Sequence, residues 1–337
     1  LPHISRLKCV RFRFLLQKSS FCDKVGRMRI AILGAGALGC YYGAKLASAG
    51  EDVAFILRSA YEPVQEKGLI VESVGGNLHL KQPKIYRNTR ECGPVDLVIV
   101  SWKAISNHLL AENLPPLLHE GTRIITLQNG MGNAEALSAF VAPERIHIGL
   151  CFVCCMMDTP GFIRHLEGGD IQFAPFANTP SGLAQAEHYA AMFANAGIKT
   201  MAFSEAEKIL WCKLSWNIPF NGLCLAHGGI SVRRLFQMPG EAERARYIMN
   251  EVCAVAQARG YPLPLDIVNS QMERTSLMGD FIPSSAVDYL RGRPVEYDAI
   301  WGIPLQRAHE AGVDVPYWEQ LCHDIRVRLQ NTDKNRS

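Results

Sequence analysis

The chain has 337 residues, enough for two domains and a sizeable buried core. Hydrophobic residues make up 48% and charged residues 20%, as in a globular protein, and the formal net charge of +3 implies no nucleic acid or other polyanion as partner. No apolar run approaches the roughly 18 residues of a bilayer-spanning helix, and eleven scattered cysteines without a disulfide framework read as reduced thiols in a cytoplasm.

Residues 1–27 carry Arg6, Lys8, Arg11, Arg13 and Lys18 with no acid before Asp23. The segment reads either as a targeting peptide or as sequence upstream of a start at Met28; the second reading is preferred, and the extension is set apart from the fold. From Met28 the pattern is specific. An apolar strand, Ile30 to Leu33, enters Gly34-x-Gly36-x-x-Gly39, and a helical stretch from Cys40 to Ala49 stops at Gly50. Gly34 permits a tight turn, Gly36 a close backbone approach to a pyrophosphate, and Gly39 close packing of helix on strand. A second strand, Asp52 to Leu57, follows, as a dinucleotide-binding βαβ unit requires. It ends in Arg58, with no acid before Glu62. A cation there suits a ribose 2′-phosphate, so NADP(H) is expected over NAD.

Short strands are expected over 69–86 around Gly75-Gly76. The apolar runs 96–101 and 122–127 read as buried parallel strands, delivering Trp102-Lys103 and Gln128-Asn129-Gly130 to the sheet's carboxyl edge. Ile146 to Val153 reads as another strand. Its Cys151-x-x-Cys154 spacing fits small buried side chains better than zinc or redox chemistry, because no second pair follows. Pro160-Gly161 turns the chain, a hairpin is expected between 162–165 and 170–173, a helix over 183–196, and a last strand over 199–203.

After Ser204 strand patterns give way to helical ones: 205–226, 240–259, 264–278, 298–311 and 317–329. Ser204 with Glu207 fits a capping box for the first. The division is therefore a Rossmann-type domain over 28–203 and an all-helical domain over 204–330, with substrate bound between them. On the first helix, Lys213, Asn217 and Asn221 form an i, i+4, i+8 polar stripe among apolar neighbours, and Pro219 is expected to kink the helix. Such a stripe serves a binding site or a satisfied helix–helix contact. Ser284 or Ser285 can cap a short helix, and Glu296 precedes the next.

Together ILGAGALG, the Lys103 segment, LQNGMG, PGFIRH at 160–165, K-L-x-x-N-x-x-x-N at 213–221 and GRPVEYDAI around Glu296 resemble the ketopantoate reductase family, from Met28 to about Leu329. The resemblance implies a Rossmann domain joined to a helical domain like that of 6-phosphogluconate dehydrogenases. It implies NADPH-dependent reduction of 2-dehydropantoate (ketopantoate), a step toward coenzyme A. By position, Lys213 matches the catalytic lysine, Asn217 and Asn221 substrate-binding asparagines, and Ser284 a serine that holds the substrate. Asn129 and Glu296 match residues at the cofactor and reaction centre; Arg58 and Lys103 match cations near the 2′-phosphate. Ala35, Ala37, Leu38 and Cys155 fall with the glycines on the cofactor side, and Ser231 on the substrate side. Ser231 stands where an asparagine is common, Trp301 replaces another, and Pro219 precedes rather than follows the second asparagine. Those departures leave a paralogous 2-keto acid reductase open. A non-catalytic NADP-binding sensor is the reading from another class, against which Lys213 argues. A homodimer is compatible with the resemblance, which does not set the oligomeric state.

Overall fold

Glycine turns and apolar runs produce a mixed sheet whose order explains where a ligand can sit. The structure, a computed structural model, describes residues 27–334; the expectations for the basic N-terminal extension lie outside the described residues. The strands are β1 (Arg29–Leu33), β2 (Asp52–Ile56), β3 (Leu69–Ser73), β4 (Leu78–Leu80), β5 (Lys84–Tyr86), β6 (Leu97–Val100), β7 (Arg123–Thr126), β8 (Ile146–Thr159), β9 (Phe162–Pro175) and β10 (Thr200–Ala202). They run in the order β4-β3-β9-β8-β7-β6-β1-β2-β5, with β10 also on β9. The β1–β2, β1–β6, β6–β7 and β7–β8 pairs are parallel. The chain leaves β1 toward β2 and comes back to β6 on its other side. A crevice therefore opens at the carboxyl ends of β1 and β6.

Helices α1 (Ala37–Ser48), α2 (Tyr61–Lys67), α3 (Thr89–Cys92), α4 (Leu110–Asn113), α5 (Asn133–Leu137) and α6 (Pro180–Asn195) connect the strands. The helical half follows as α7 (Ala206–Ala226), α8 (Val232–Phe236), α9 (Glu241–Ala258), α10 (Ile267–Ser276), α11 (Ser284–Leu290), α12 (Ile303–Glu310) and α13 (Pro316–Lys334). Among the described residues no helix is long and apolar enough to cross a membrane. One sheet face packs on α1 and α6 through Ile30, Ile32, Tyr42, Tyr189 and Phe193. The opposite face shares one continuous core with the helical half, from Val98 and Leu150 through Leu214 to Trp318 and Ile325. Helix α7 is apolar nearly all round, which requires burial. It runs unbroken through Pro219 at the centre of that half, packed by α9, α11 and α13.

Three expectations need correction. The hairpin between 162–165 and 170–173 does not form. Residues 162–175 are one strand, paired antiparallel with β8 along its whole length, and β8 itself runs six residues past Val153 to Thr159. Gly168 (φ +75°) and Gly169 (φ +117°) make a bulge beside Phe152 and Val153 rather than a turn. The Ser204–Glu207 capping box is also absent. The N-cap is Glu205, without a side-chain cap, and Glu207 instead accepts from Trp211, Arg259 and Arg307. Three charged or indole donors outweigh one local amide. Finally, neither Ser284 nor Ser285 is the cap of α11, which begins at Ser284 after Pro283.

The 298–311 segment also divides, for a reason written in its sequence. A π-helical turn, Asp298–Gly302, precedes α12. In an i to i+5 pattern Ala299 would need an N–H from residue 304, but that residue is Pro304. The Ala299 carbonyl is left to accept from Met131 N at 2.8 Å, across to the sheet half. Trp301 is fully buried, donates to the Ile218 carbonyl at 3.0 Å and packs over Gly222. It is a core residue.

His147 on β8 gives the fold a pH dependence. It is fully buried, its Nε2 meets the Gly182 carbonyl at 3.1 Å, and its ring stands edge-on to Tyr189. Burial pulls its pKa down to about 4. Between that value and the unfolded value near 6.5 the unfolded chain binds the extra proton, so stability rises with pH across this window. The contribution, complete above the unfolded pKa and lost as pH falls toward 4, is about 3 kcal/mol. Urea midpoints from pH 7 to pH 4 should therefore fall more steeply for the wild type than for His147→Gln, which keeps the donor without the titration.

Candidate active site

The turn after β1 shows why three glycines are spaced as they are. A Cβ on Gly34 (φ +91°) would lie 2.4 Å from Trp102 N, so only glycine lets this turn pass the end of β6. A Cβ on Gly39 would lie 2.2 Å from Ser101 Oγ, which itself donates to the Gly34 carbonyl at 2.9 Å. Gly36 differs. It is exposed, and a Cβ there would meet nothing nearer than the Gly34 carbonyl at 4.0 Å. It is the N-cap of α1 and supplies no side-chain acceptor. The first-turn N–H groups, with Ala37 and Leu38 beside them, thus face open space, an arrangement that fits an anionic pyrophosphate. Ser101, which ties the loop to β6, was not singled out from the sequence, where it looks like any strand-end serine.

Arg58 lies exposed past the end of β2, and its guanidinium has no side-chain partner among the described residues. The nearest acid in sequence, Glu62, is bound by Arg87. Lys103 has partners of its own. It forms an ion pair with Asp288 of α11 and stands near Glu296. Glu296 is 8% exposed and accepts from Ala104 N at 2.7 Å. Burial pushes its carboxyl above the usual range, opposed by the Ala104 N–H and by the charges of Lys103 and Lys213. Lys103 and Glu296 thus meet across the cleft, one from each half.

Lys213 joins three elements. Its Nζ donates to Asn129 Oδ1, beyond β7, and to the Cys151 carbonyl of β8, both at 2.8 Å. An ammonium has three donors, so one N–H remains for a ligand. Desolvation lowers the Lys213 pKa, while the Glu296 carboxylate nearby favours the charged form. Asn129 is held in turn by its loop. Its carbonyl accepts from Asn133 Nδ2 at 3.0 Å, and a Cβ on Gly130 (φ +79°) would strike the Ala299 carbonyl at 2.2 Å. The Ala299 carbonyl that Pro304 leaves free is therefore what this loop rests on.

The rest of the stripe divides its roles. Asn221 Oδ1 accepts from Ser285 N at 3.0 Å and from Ser284 Oγ at 3.4 Å, so Asn221 caps α11 from another helix. Asn217 is buried, and its amide makes no side-chain hydrogen bond among the described residues. Ser231 is not brought into this cluster; its Oγ accepts from Arg234 N and caps α8. Cys155 lies on the α1 side of β8 near Cys40 and Tyr41, where burial pushes its thiol up to about 12. Cys151 is a buried free thiol pushed up to about 11, the opposite of a reactive thiolate. What it offers Lys213 is its carbonyl, which a sequence cannot flag. A cavity of about 140 Å³ on the far side of the 128–135 loop is lined by Gln128, Glu135, Glu207 and Arg307, and Arg307 bridges the two glutamates.

With this geometry described, comparison places the chain among known proteins. The model of the ketopantoate reductase PanE/ApbA family matches residues 30–178, and that of its C-terminal domain matches residues 205–328. A curated 2-dehydropantoate 2-reductase of Nostoc sp. is 36% identical over 303 residues, covering 88% of this chain and 94% of the relative. The crystal structure of 2-dehydropantoate 2-reductase from Geobacter metallireducens GS-15 superimposes with a TM-score of 0.85 at 40% identity, covering 89% of this chain and 99% of that one. A D-mandelate dehydrogenase solved with NADH and anilino(oxo)acetate shares the fold, with a TM-score of 0.81 at 24% identity over 91% of this chain and 99% of that one. With both halves matched in order and relatives this similar over nearly their full length, the chain belongs to the ketopantoate reductase family of oxidoreductases.

Proposed function

We propose that this protein reduces a short 2-keto acid with NADPH, that 2-dehydropantoate is the substrate, and that Lys213 is the proton donor. The observation that carries the reading is the Lys213 ammonium, held by two acceptors in the cleft with one N–H open. The division at 203/204 into a cofactor unit and a substrate unit, acting in a cytoplasm, belongs to the same proposal.

The turn at Gly34 to Gly39 and the first N–H groups of α1 would hold the pyrophosphate, and Arg58 the 2′-phosphate. Bound NADPH supplies the hydride for the ketone carbon. Lys213 donates its open N–H to the ketone oxygen, stabilises the charge that develops there and gives it the proton. Asn129 and the Cys151 carbonyl fix the direction of that N–H. Asn217, with an unengaged buried amide, and Ser284 lie along the same wall to bind carboxylate and hydroxyl, which orients the ketone. A sensor would have no use for a proton donor so held.

Four measurements follow. Lys213→Ala should lower turnover by roughly 10²–10⁴-fold while NADPH still binds, because the cofactor contacts lie mainly in the first half. In the wild type, reduction should decline on the alkaline side below the ordinary lysine range, as the ammonium loses its proton. Near-normal turnover in the variant would remove Lys213 from the chemistry. NADPH should bind more tightly than NADH, and Arg58→Ala should weaken NADPH alone by about ten- to a hundredfold, the worth of one charge-assisted contact; equal binding of both cofactors by the wild type contradicts this. Lastly, kcat/KM for ketopantoate should exceed that for 2-keto-isovalerate, which carries a hydrogen in place of the hydroxymethyl group, by about a hundredfold or more. Parity would indicate a paralogous reductase with the same lysine.

A further inference from the structure

Beside Lys213 the cleft has an apolar wall that none of the residues above supplies. Along β8, Cys151, Val153, Cys155 and Met157 pack on the α1 side of the sheet. The two-residue period of a strand then turns Phe152, Cys154 and Met156 to the opposite side, toward α7. Leu150 precedes them on that face and is buried. Phe152 is different: its ring centre lies 5.5 Å from Lys213 Nζ, yet the residue remains 38% exposed. An aromatic ring this open, next to a desolvated ammonium, is what a ligand pocket provides for an apolar group.

The geometry limits which group that is. A ketone oxygen hydrogen-bonded to the open N–H of Lys213 sits about 2.8–3.0 Å from Nζ. C3 of a 2-keto acid lies two bonds further on and its substituents three, within reach of a ring 5.5 Å from the same nitrogen. Asn217 and Asn221 are polar and come from α7, so the apolar part of the substrate has its natural partner on the β8 side. We infer that Phe152 is a specificity-determining residue: its ring packs on the C3 substituents of the bound 2-keto acid and selects branched chains over unbranched ones. The inference rests on the reductase reading and adds to it the residue that chooses the side chain.

The test uses the full chain with NADPH and four acids: pyruvate, 2-ketobutyrate, 2-keto-isovalerate and ketopantoate. The wild type should favour the two C3-branched acids. Phe152→Ala should lower kcat/KM for those two by roughly ten- to a hundredfold and leave pyruvate within about threefold, since pyruvate offers the ring only a methyl group. Phe152→Leu, which retains an apolar wall, should keep most of the preference. If the alanine variant does not fold, Phe152→Thr, a good strand former without the ring, serves the same comparison. An equal loss on all four acids, or no change on any, overturns the assignment while the reductase reading stands. A wild type that reduces none of the four overturns that reading, and the role of Phe152 with it.

Discussion

The desolvated ammonium of Lys213 is the constraint on which the site depends. Removing an ammonium from water costs several kcal/mol, and each hydrogen bond to a charged group returns about 1.5–3 kcal/mol. Two such bonds, to Asn129 Oδ1 and the Cys151 carbonyl, roughly offset the loss, and Glu296 adds its field. The arrangement holds only while the loop after β7, the middle of β8 and the centre of α7 keep their places. That explains why the surroundings of Asn129 are so tightly specified, with Gly130 pressed on the Ala299 carbonyl.

The two halves are joined both by a common core and by polar contacts that pass through the site. Met131 N to the Ala299 carbonyl, Ala104 N to Glu296, and Lys103 to Asp288 each pair a residue of the sheet half with one of the helical half. Arg307 adds a fourth link behind the loop, between Glu135 and Glu207. The first two involve backbone groups next to Asn129 and Lys103. A change in how the halves meet would move those two side chains directly, which ties cleft geometry to the chemistry proposed for it.

Much of this was legible in the residues. The strand–glycine–helix unit at 28–49, the buried strands at 97–100 and 123–126, and the change to helices after Ser204 follow from period and turn chemistry, which are local. The Lys213–Asn217–Asn221 stripe could be read because 3.6 residues per turn puts all three on one side of a helix. Even the π-helical turn has a local origin in Pro304.

Other features depend on partners distant in the chain. Gly168 and Gly169 look like a turn, and become a bulge because β8 is long enough to pair past them. Ser204 and Glu207 spell a cap that loses to Arg259 and Arg307, which lie 52 and 100 residues beyond Glu207. Lys103 and Arg58 both follow strands at the same sheet edge, yet Asp288 and Glu296 draw Lys103 into the cleft. The second acceptor of Lys213 is a backbone carbonyl, and every residue has one; only the packing of α7 against β8 selects Cys151. The sequence by itself therefore determined the fold class, the family and the residues able to carry charge at the site. Tertiary structure decided which of them meet, because burial leaves a charged group few acceptors and makes their positions matter.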